Sequence, residues 1–221
     1  MSKSAADTAT AALRDLLARG RYQTGDRLPP ERELAEGLGL SRPTLREAIR
    51  RLTEAGLLEA RQGSGTYVAD IDLDAVFEVR LQLEPHAAQL AATHRTEADV
   101  QRIDGLLTTL PELMDEPEAF TAIDLEIHRV VAHASGNPVL SDFLDRLTEL
   151  THLSRPITSP APEARRETLR DLRLLVRAVR TRDPDGAAAA MHAHLQSMQA
   201  IAARRAPRDR RIAPDSSTSA P

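Results

Sequence analysis

The sequence contains no cysteine and no tryptophan, and lysine occurs once, at Lys3. Without cysteine there is no disulfide, no thiol nucleophile and no thiolate metal site, and a reducing compartment fits. Aromatic residues make up only 2% of the 221 residues: Tyr22, Tyr67, Phe77, Phe120 and Phe143. That is too few to build the stacking platforms of single-strand nucleic-acid binders. No apolar run approaches the ~18 residues a membrane helix needs. Met1 to Thr10 lacks the apolar stretch of a signal peptide. Membrane spanning and secretion are therefore set aside, and a cytoplasmic protein is expected. What is present, 41% apolar and 28% charged residues, suffices for a packed core in one large domain or two small ones.

The net charge of −4 conceals an asymmetry. Residues 1–70 carry 11 basic and 10 acidic side chains, residues 71–203 carry 13 and 21, and residues 204–221 carry 5 and 2. A duplex-binding surface has to offset phosphate charge, so the acidic middle of the chain is a poor DNA surface. In the first segment Arg42, Arg46, Arg50 and Arg51 fall within ten residues. Such a run is either a nucleic-acid contact or a solvated helix face.

Local signals divide the chain. Residues 1–9 read as a flexible N-terminus. Apolar spacing predicts a helix from Thr10 to Arg19, stopped by Gly20, and Thr24-Gly25-Asp26 is a turn. Pro30 suits the first turn of a short helix carrying Leu34, Ala35 and Leu38, which Gly39 breaks. Ser41 is a good N-cap for a second helix, with Leu45, Ala48, Ile49 and Leu52 on one face and Gly56 at its end. Leu57 to Arg61 and Thr66 to Ala69 read as strands joined by Gln62-Gly63-Ser64-Gly65. Two short helices and a hairpin describe a winged helix-turn-helix over residues 10–70. Residues 71–74 follow as a linker, the junction through which the two domains would communicate.

From there only helices are expected. They run from Asp74 to Leu83, from Pro85 to Ala92, and from a capping-box-like Thr96-x-x-Asp99 to Leu110. Further helices are expected over Glu118 to Ala134, Pro138 to Ser154, Glu163 to Arg182 and Asp185 to Arg204, with a proline-containing loop from Pro156 to Pro162. Residues 75–205 thus form an all-helical domain, and residues 206–221, without periodicity, a disordered tail.

In a helix-turn-helix the recognition helix enters the major groove with its N-terminal residues near base edges. Arg42, Thr44 and Arg46 occupy that part. Arginine grips guanine with two hydrogen bonds, and Ser or Thr suits phosphates or bases. Leu28-Pro29-Pro30-Glu31-Arg32-Glu33-Leu34-Ala35, Leu40-Ser41-Arg42-Pro43-Thr44-Leu45-Arg46-Glu47-Ala48, Gly56-Leu57-Leu58 and Gln62-Gly63-Ser64-Gly65-Thr66-Tyr67-Val68 strongly resemble the DNA-binding domain of the GntR family of bacterial transcription regulators. The resemblance implies DNA contacts at Arg32, Ser41, Arg42, Thr44 and Arg46, with the wing at Gln62 and Gly63. The other reading is that Arg32 and Arg46 merely pair with Glu31, Glu33 or Glu47.

The helical segment resembles the FCD type of that family, the branch with the fatty-acid-responsive regulators. Val79 to Ala88 matches its opening Arg-x-x-x-Glu-x-x-Ala-Ala pattern, Asp124-x-x-x-His128 with Ser135-Gly136-Asn137 its central helix, and Asp183, Ala187, Met191 and His194-Leu195 its last helix. Asp124 and His128, four apart, share one helix face, and His194 from a distant helix could join them in a bundle core. Two imidazoles and a carboxylate suit a divalent metal with open positions; zinc, nickel and manganese all fit. The alternative is a buried hydrogen-bonded cluster. His133 is about half a turn out of phase with Asp124 at ~100° per residue, and His192 is out of phase with His194.

Metal-binding members carry a further His eleven residues before the position of Asp183, where this chain has Leu172. Arg80 could anchor an effector carboxylate or pair with Glu84.

The expected protein is a mainly α, sequence-specific DNA-binding regulator with an N-terminal winged helix-turn-helix and an FCD-type bundle. It would be a repressor that binds a pseudopalindromic operator on double-stranded DNA as a homodimer, controlled by a small carboxylate metabolite. A regulator whose helical domain only dimerises is the alternative. A metalloenzyme is disfavoured, because no nucleophile motif, phosphate loop or spare base accompanies the three ligands.

Overall fold

The computed structural model describes residues 4–18, 22, 24–70, 72–153 and 162–205. Helix α1 spans Ala5–Ala18. It starts earlier than the apolar spacing predicts because Ser4 and Asp7 cap it reciprocally. The Ser4 N–H donates to the Asp7 carboxylate at 3.0 Å, and the Asp7 N–H donates to Ser4 Oγ at 3.1 Å. Helix α2 (Glu31–Leu38) ends at Gly39, whose φ of +65° is the left-handed stop that favours glycine. Helix α3 (Arg42–Glu54) buries Leu45, Ala48, Ile49 and Leu52. Against them pack Ala9, Leu13 and Leu17 of α1, closing a small N-terminal core.

The hairpin follows as β1 (Leu58–Arg61) and β2 (Gly65–Val68), antiparallel, with Leu58 opposite Val68 and Arg61 opposite Gly65. A third segment joins it that spacing alone did not reveal. Residues 25–28 run beside β2, with Leu28 N–H donating to Thr66 O and Val68 N–H to Asp26 O, each at 2.8 Å.

The second domain is a helical bundle. Its helices are α4 (Leu73–His94), α5 (Glu97–Thr109), α6 (Pro117–Ala134), α7 (Pro138–Leu153), α8 (Pro162–Arg180) and α9 (Pro184–Arg205), with a 3-10 turn at Leu110–Leu113. The Thr96–Asp99 capping box at the start of α5 is present in full. The helix break expected at Pro85 does not occur: α4 continues through it. A mid-helix proline costs about 3 kcal/mol. That cost is offset by packing along the whole length of α4, which touches α6, α7, α8 and α9. Most of the expected loop from 156, and the tail 206–221, lie outside the described residues.

The main core joins Ala88, Ala91 and Ala92 of α4 to Phe120, Ile127 and Val131 of α6, and to the apolar faces of α8 and α9. A smaller group, Ala87, Ala132, Leu144 and Leu147, sits between α4, α6 and α7. Leu150 packs against both this group and the N-terminal core, so α7 bridges the domains. Among the described residues no helix is long and apolar enough to cross a membrane.

Phe120 is buried on the first half of α6 and fixes that helix in the core. Phe120→Ala is expected to lower unfolding free energy by about 3–5 kcal/mol, measured by urea denaturation. A loss below about 1 kcal/mol would show that α6 is held in place by something else.

Candidate functional site

Two places in the structure gather the residues singled out by sequence. At the start of α3, Ser41 Oγ accepts the Thr44 N–H at 3.3 Å and lies 2.7 Å from Thr44 Oγ1. Both side chains are thereby fixed at the helix N-terminus, where backbone N–H groups and the helix dipole favour an anion.

The four nearby arginines fall into two groups. Arg50 donates to Glu47 and Glu54, and Arg51 to Glu47 and Asp7. Hydrogen bonds from Arg50, then Arg51, hold the Glu47 carboxyl down to about 2. Those two arginines belong to the scaffold. Arg42 and Arg46 remain exposed on the first turns, with Arg46 reaching only a 3.3 Å contact to Glu31. Arg32 is exposed on α2. Gln62 and Gly63 are exposed at the hairpin tip. Beneath them Arg61 lies 4.2 Å from the centre of the Tyr67 ring, and Ser64 Oγ meets the Tyr67 hydroxyl at 2.6 Å. Gly65, at φ +117°, passes so close to Arg27 that a Cβ would lie 3.0 Å from its Nε.

The second place is inside the bundle. Helix α6 presents Asp124 and His128 on one face, α9 brings His194, and α4 brings Arg80 and Glu84, all five buried. Asp124 Oδ1 lies 3.6 Å from His128 Nε2 and 3.5 Å from His194 Nε2. The two imidazole rings are 5.0 Å apart. Glu84 bridges Arg80 Nε and His128 Nδ1, one carboxylate oxygen to each. Arg80 thus takes the second of the two roles its sequence context allows, as the ion-pair partner of Glu84, and its guanidinium also lies over Phe77. Spacing had marked Glu84 only as a neighbour of Arg80. Its contact with His128 crosses 44 residues, and no local pattern carries such information.

Burial disfavours charge on each of these groups, and their neighbours decide the outcome. For His128, burial is outweighed by the charges of Glu84 and Asp124 and by the hydrogen bond to Glu84, and its imidazole is raised to about 9. For His194, burial dominates; Asp124 opposes it, His128 and Arg80 add to it, and the ring is lowered to about 4. Asp124 and Glu84 would be pushed up by burial. The two imidazoles around Asp124, and Arg80 with His128 around Glu84, hold both carboxyls below their ordinary values instead.

The cluster is not self-satisfied. Asp124 Oδ1, His128 Nε2 and both ring nitrogens of His194 are shielded from solvent and have no hydrogen-bond partner among the described residues. One ligand atom from each of Asp124, His128 and His194 lies within 4.8 Å of the others. Buried polar atoms left unpaired are costly, and this donor set is the kind that holds a divalent cation. His133 and His192 stand apart, as their phase predicts. His133 pairs with Asp145 at 3.1 Å, and His192 is exposed. Leu172 is wholly buried in the apolar core of the bundle. Its neighbour Asp171, raised by burial, meets Arg170. Helix α8 adds no fourth member to the cluster of three.

Comparison with known proteins identifies both domains of the chain. Residues 5–68 match the bacterial regulatory proteins of the gntR family, and residues 75–197 match the FCD domain. An uncharacterized HTH-type transcriptional regulator of Mycobacterium tuberculosis is 33% identical over 204 residues, 83% of each chain. The HTH-type transcriptional repressor NanR of an Enterobacter species is 27% identical over 221 residues, covering 90% of this chain and 85% of that one. The structure of Escherichia coli McbR/YncC superposes with a TM-score of 0.80 at 24% identity, covering 92% of this chain and 99% of that one, a likeness of fold. The two sequence relatives are HTH-type transcription regulators. The chain belongs to the GntR family of DNA-binding transcription regulators, in the branch that carries an FCD domain.

Proposed function

We propose that this protein is a repressor. A homodimer would grip a pseudopalindromic operator, and a small carboxylate metabolite, bound through a divalent metal in the FCD domain, would release it. The observation that carries this reading is the group of unpaired, buried ligand atoms on Asp124, His128 and His194. Zinc, nickel or manganese held there by three protein ligands would offer open positions to a carboxylate. Charge balance around a bound metal would favour an anion too. Arg80 and Glu84 cancel, and Asp124 supplies one negative charge against the metal's two positive. The interior then lacks one negative charge, which an anionic effector restores. Control of DNA requires the effector to bind the operator-competent and incompetent arrangements unequally.

The metal is tested by elemental mass spectrometry of protein purified without a polyhistidine tag or chelator. About one equivalent per chain is expected, and its loss in His128→Ala. A wild-type chain that takes up no zinc, nickel or manganese, yet still binds duplex DNA, would overturn the metal reading. It would favour a regulator whose helical domain serves dimerisation alone, a reading to which the apolar Leu172 lends support.

For the DNA face, Arg42 and Arg46 are proposed to read the operator, with Arg32, Ser41, Thr44, Gln62 and Gly63 fixing the register on the duplex. Arg42→Ala and Arg46→Ala are each expected to cost about 1–3 kcal/mol of specific affinity, a loss on the order of tenfold or more, without changing thermal stability. Arg50→Ala, which removes a scaffold arginine on the same helix, is the control. Fluorescence anisotropy with a duplex selected from random sequence measures all three. Equal affinity for the selected duplex in wild type and both variants would exclude this docking.

A further inference from the structure

We infer that Glu84 is a positioning residue for the metal: through its hydrogen bond to His128 Nδ1 it commits the opposite nitrogen, Nε2, to the site. The inference rests on the metal reading above and concerns a residue outside the ligand set. Glu84 is not among the three residues whose ligand atoms converge. Each oxygen of its carboxylate is engaged elsewhere. One oxygen takes Arg80 Nε, and the other takes His128 Nδ1. Arg80, Glu84 and His128 are only 3%, 5% and 3% exposed, so neither contact is diluted by water.

An imidazole presents two chemically distinct nitrogens, and the hydrogen bond made by one decides which is left as a ligand. With Nδ1–H donating to Glu84, Nε2, the atom 3.6 Å from Asp124 Oδ1, is the nitrogen that would exchange its proton for the metal. Arg80 holds the other end of the Glu84 carboxylate, so the ring is oriented by a chain of two contacts anchored on α4. His194 lacks this support. Its Nδ1 is buried with no partner among the described residues. The site therefore contains one imidazole locked by its surroundings and one that is not. With Leu172 in place of a further His, the locked ring carries a larger share of the affinity.

Zinc is the probe, with the full-length chain. Zinc affinity is measured by competition with a chromophoric chelator, and ring tautomers by nitrogen-15 NMR of histidine-labelled, zinc-loaded protein. Glu84→Ala is expected to weaken zinc by about ten- to a hundredfold and to abolish the Nδ1–H form of His128, leaving His194 unchanged. Glu84→Gln keeps an acceptor for Nδ1–H and is expected to retain the His128 tautomer with a smaller loss. Because Glu84→Ala strands a buried guanidinium, the double variant Arg80→Met with Glu84→Leu removes the pair together. It is expected to show the same loss of zinc and of the His128 tautomer.

A folded double variant with wild-type zinc affinity and an unchanged His128 signal would overturn the positioning role while leaving the metal site standing. Equal disturbance of His128 and His194 in the double variant would also overturn it, since that marks a general packing defect. A wild-type chain that binds no zinc would instead defeat the underlying metal reading.

Discussion

The second domain depends on α4 running unbroken past Pro85. Before the proline lie Arg80 and Glu84; after it come Ala87, Ala88, Ala91 and Ala92, all buried. The alanines let neighbouring helices approach closely, and α9 and α6 both pack along α4. The same approach brings Asp124 and His128 on α6 within reach of His194 on α9. A helix broken at Pro85, as its sequence invites, would uncouple the charged end of α4 from its small-residue end. The missing backbone hydrogen bond is a local cost set against burial on four neighbouring helices. The reciprocal ties at the far end of α4 act in the same sense. Arg182 donates to Thr93 O and Arg95 O, and Arg95 donates to Arg180 O at 2.7 Å.

Charge is distributed by the same economy of place. On α3 one helix carries arginines for two purposes, and the carboxylates decide which is which. Glu47 and Glu54 engage Arg50, and Glu47 and Asp7 of α1 engage Arg51. Surface pairs of this kind contribute little stability each. What they do here is offset two of the four positive charges on α3; Arg42 and Arg46 lie on its first turns, Arg46 with its own ion pair to Glu31. Within the bundle the reverse holds: buried charges are few, and Arg80, Glu84 and His128 satisfy one another in series.

Much of the winged helix-turn-helix was legible in the sequence because its determinants are local. Ser41, Gly39 and the Leu45 to Leu52 stripe each act within one helical turn of the feature they specify. What spacing missed there was the start of α1, set by Ser4 and Asp7, and the pairing of residues 25–28 with β2, a contact between segments about forty residues apart. In the bundle, Asp124 and His128 could be placed together from their spacing, whereas His194 came from family likeness and only the fold put it beside them. Glu84 was seen beside Arg80 but not beside His128, and Pro85 was misread. Both outcomes depend on which helix packs where, a property no window of residues on α4 contains.

Between the buried cluster and the DNA-binding core runs a series of side chains already in contact. Ala132 lies one turn beyond His128 on α6 and packs with Leu144 and Leu147 of α7. Leu150, one turn further along α7, packs against that group and against the core that holds α1 and α3. Close-packed interiors transmit displacement because they lack the free space to absorb it. Contact alone does not couple two sites, however; each must bias the same two arrangements. In the function proposed above, that bias would come from the cluster: a ligand that pairs its four open atoms would favour the arrangement of α6 and α9 that holds it. Besides the covalent junction after β2, the contact at Leu150 links the domains among the described residues, and it leads from α6 through α7 to the scaffold of the recognition helix.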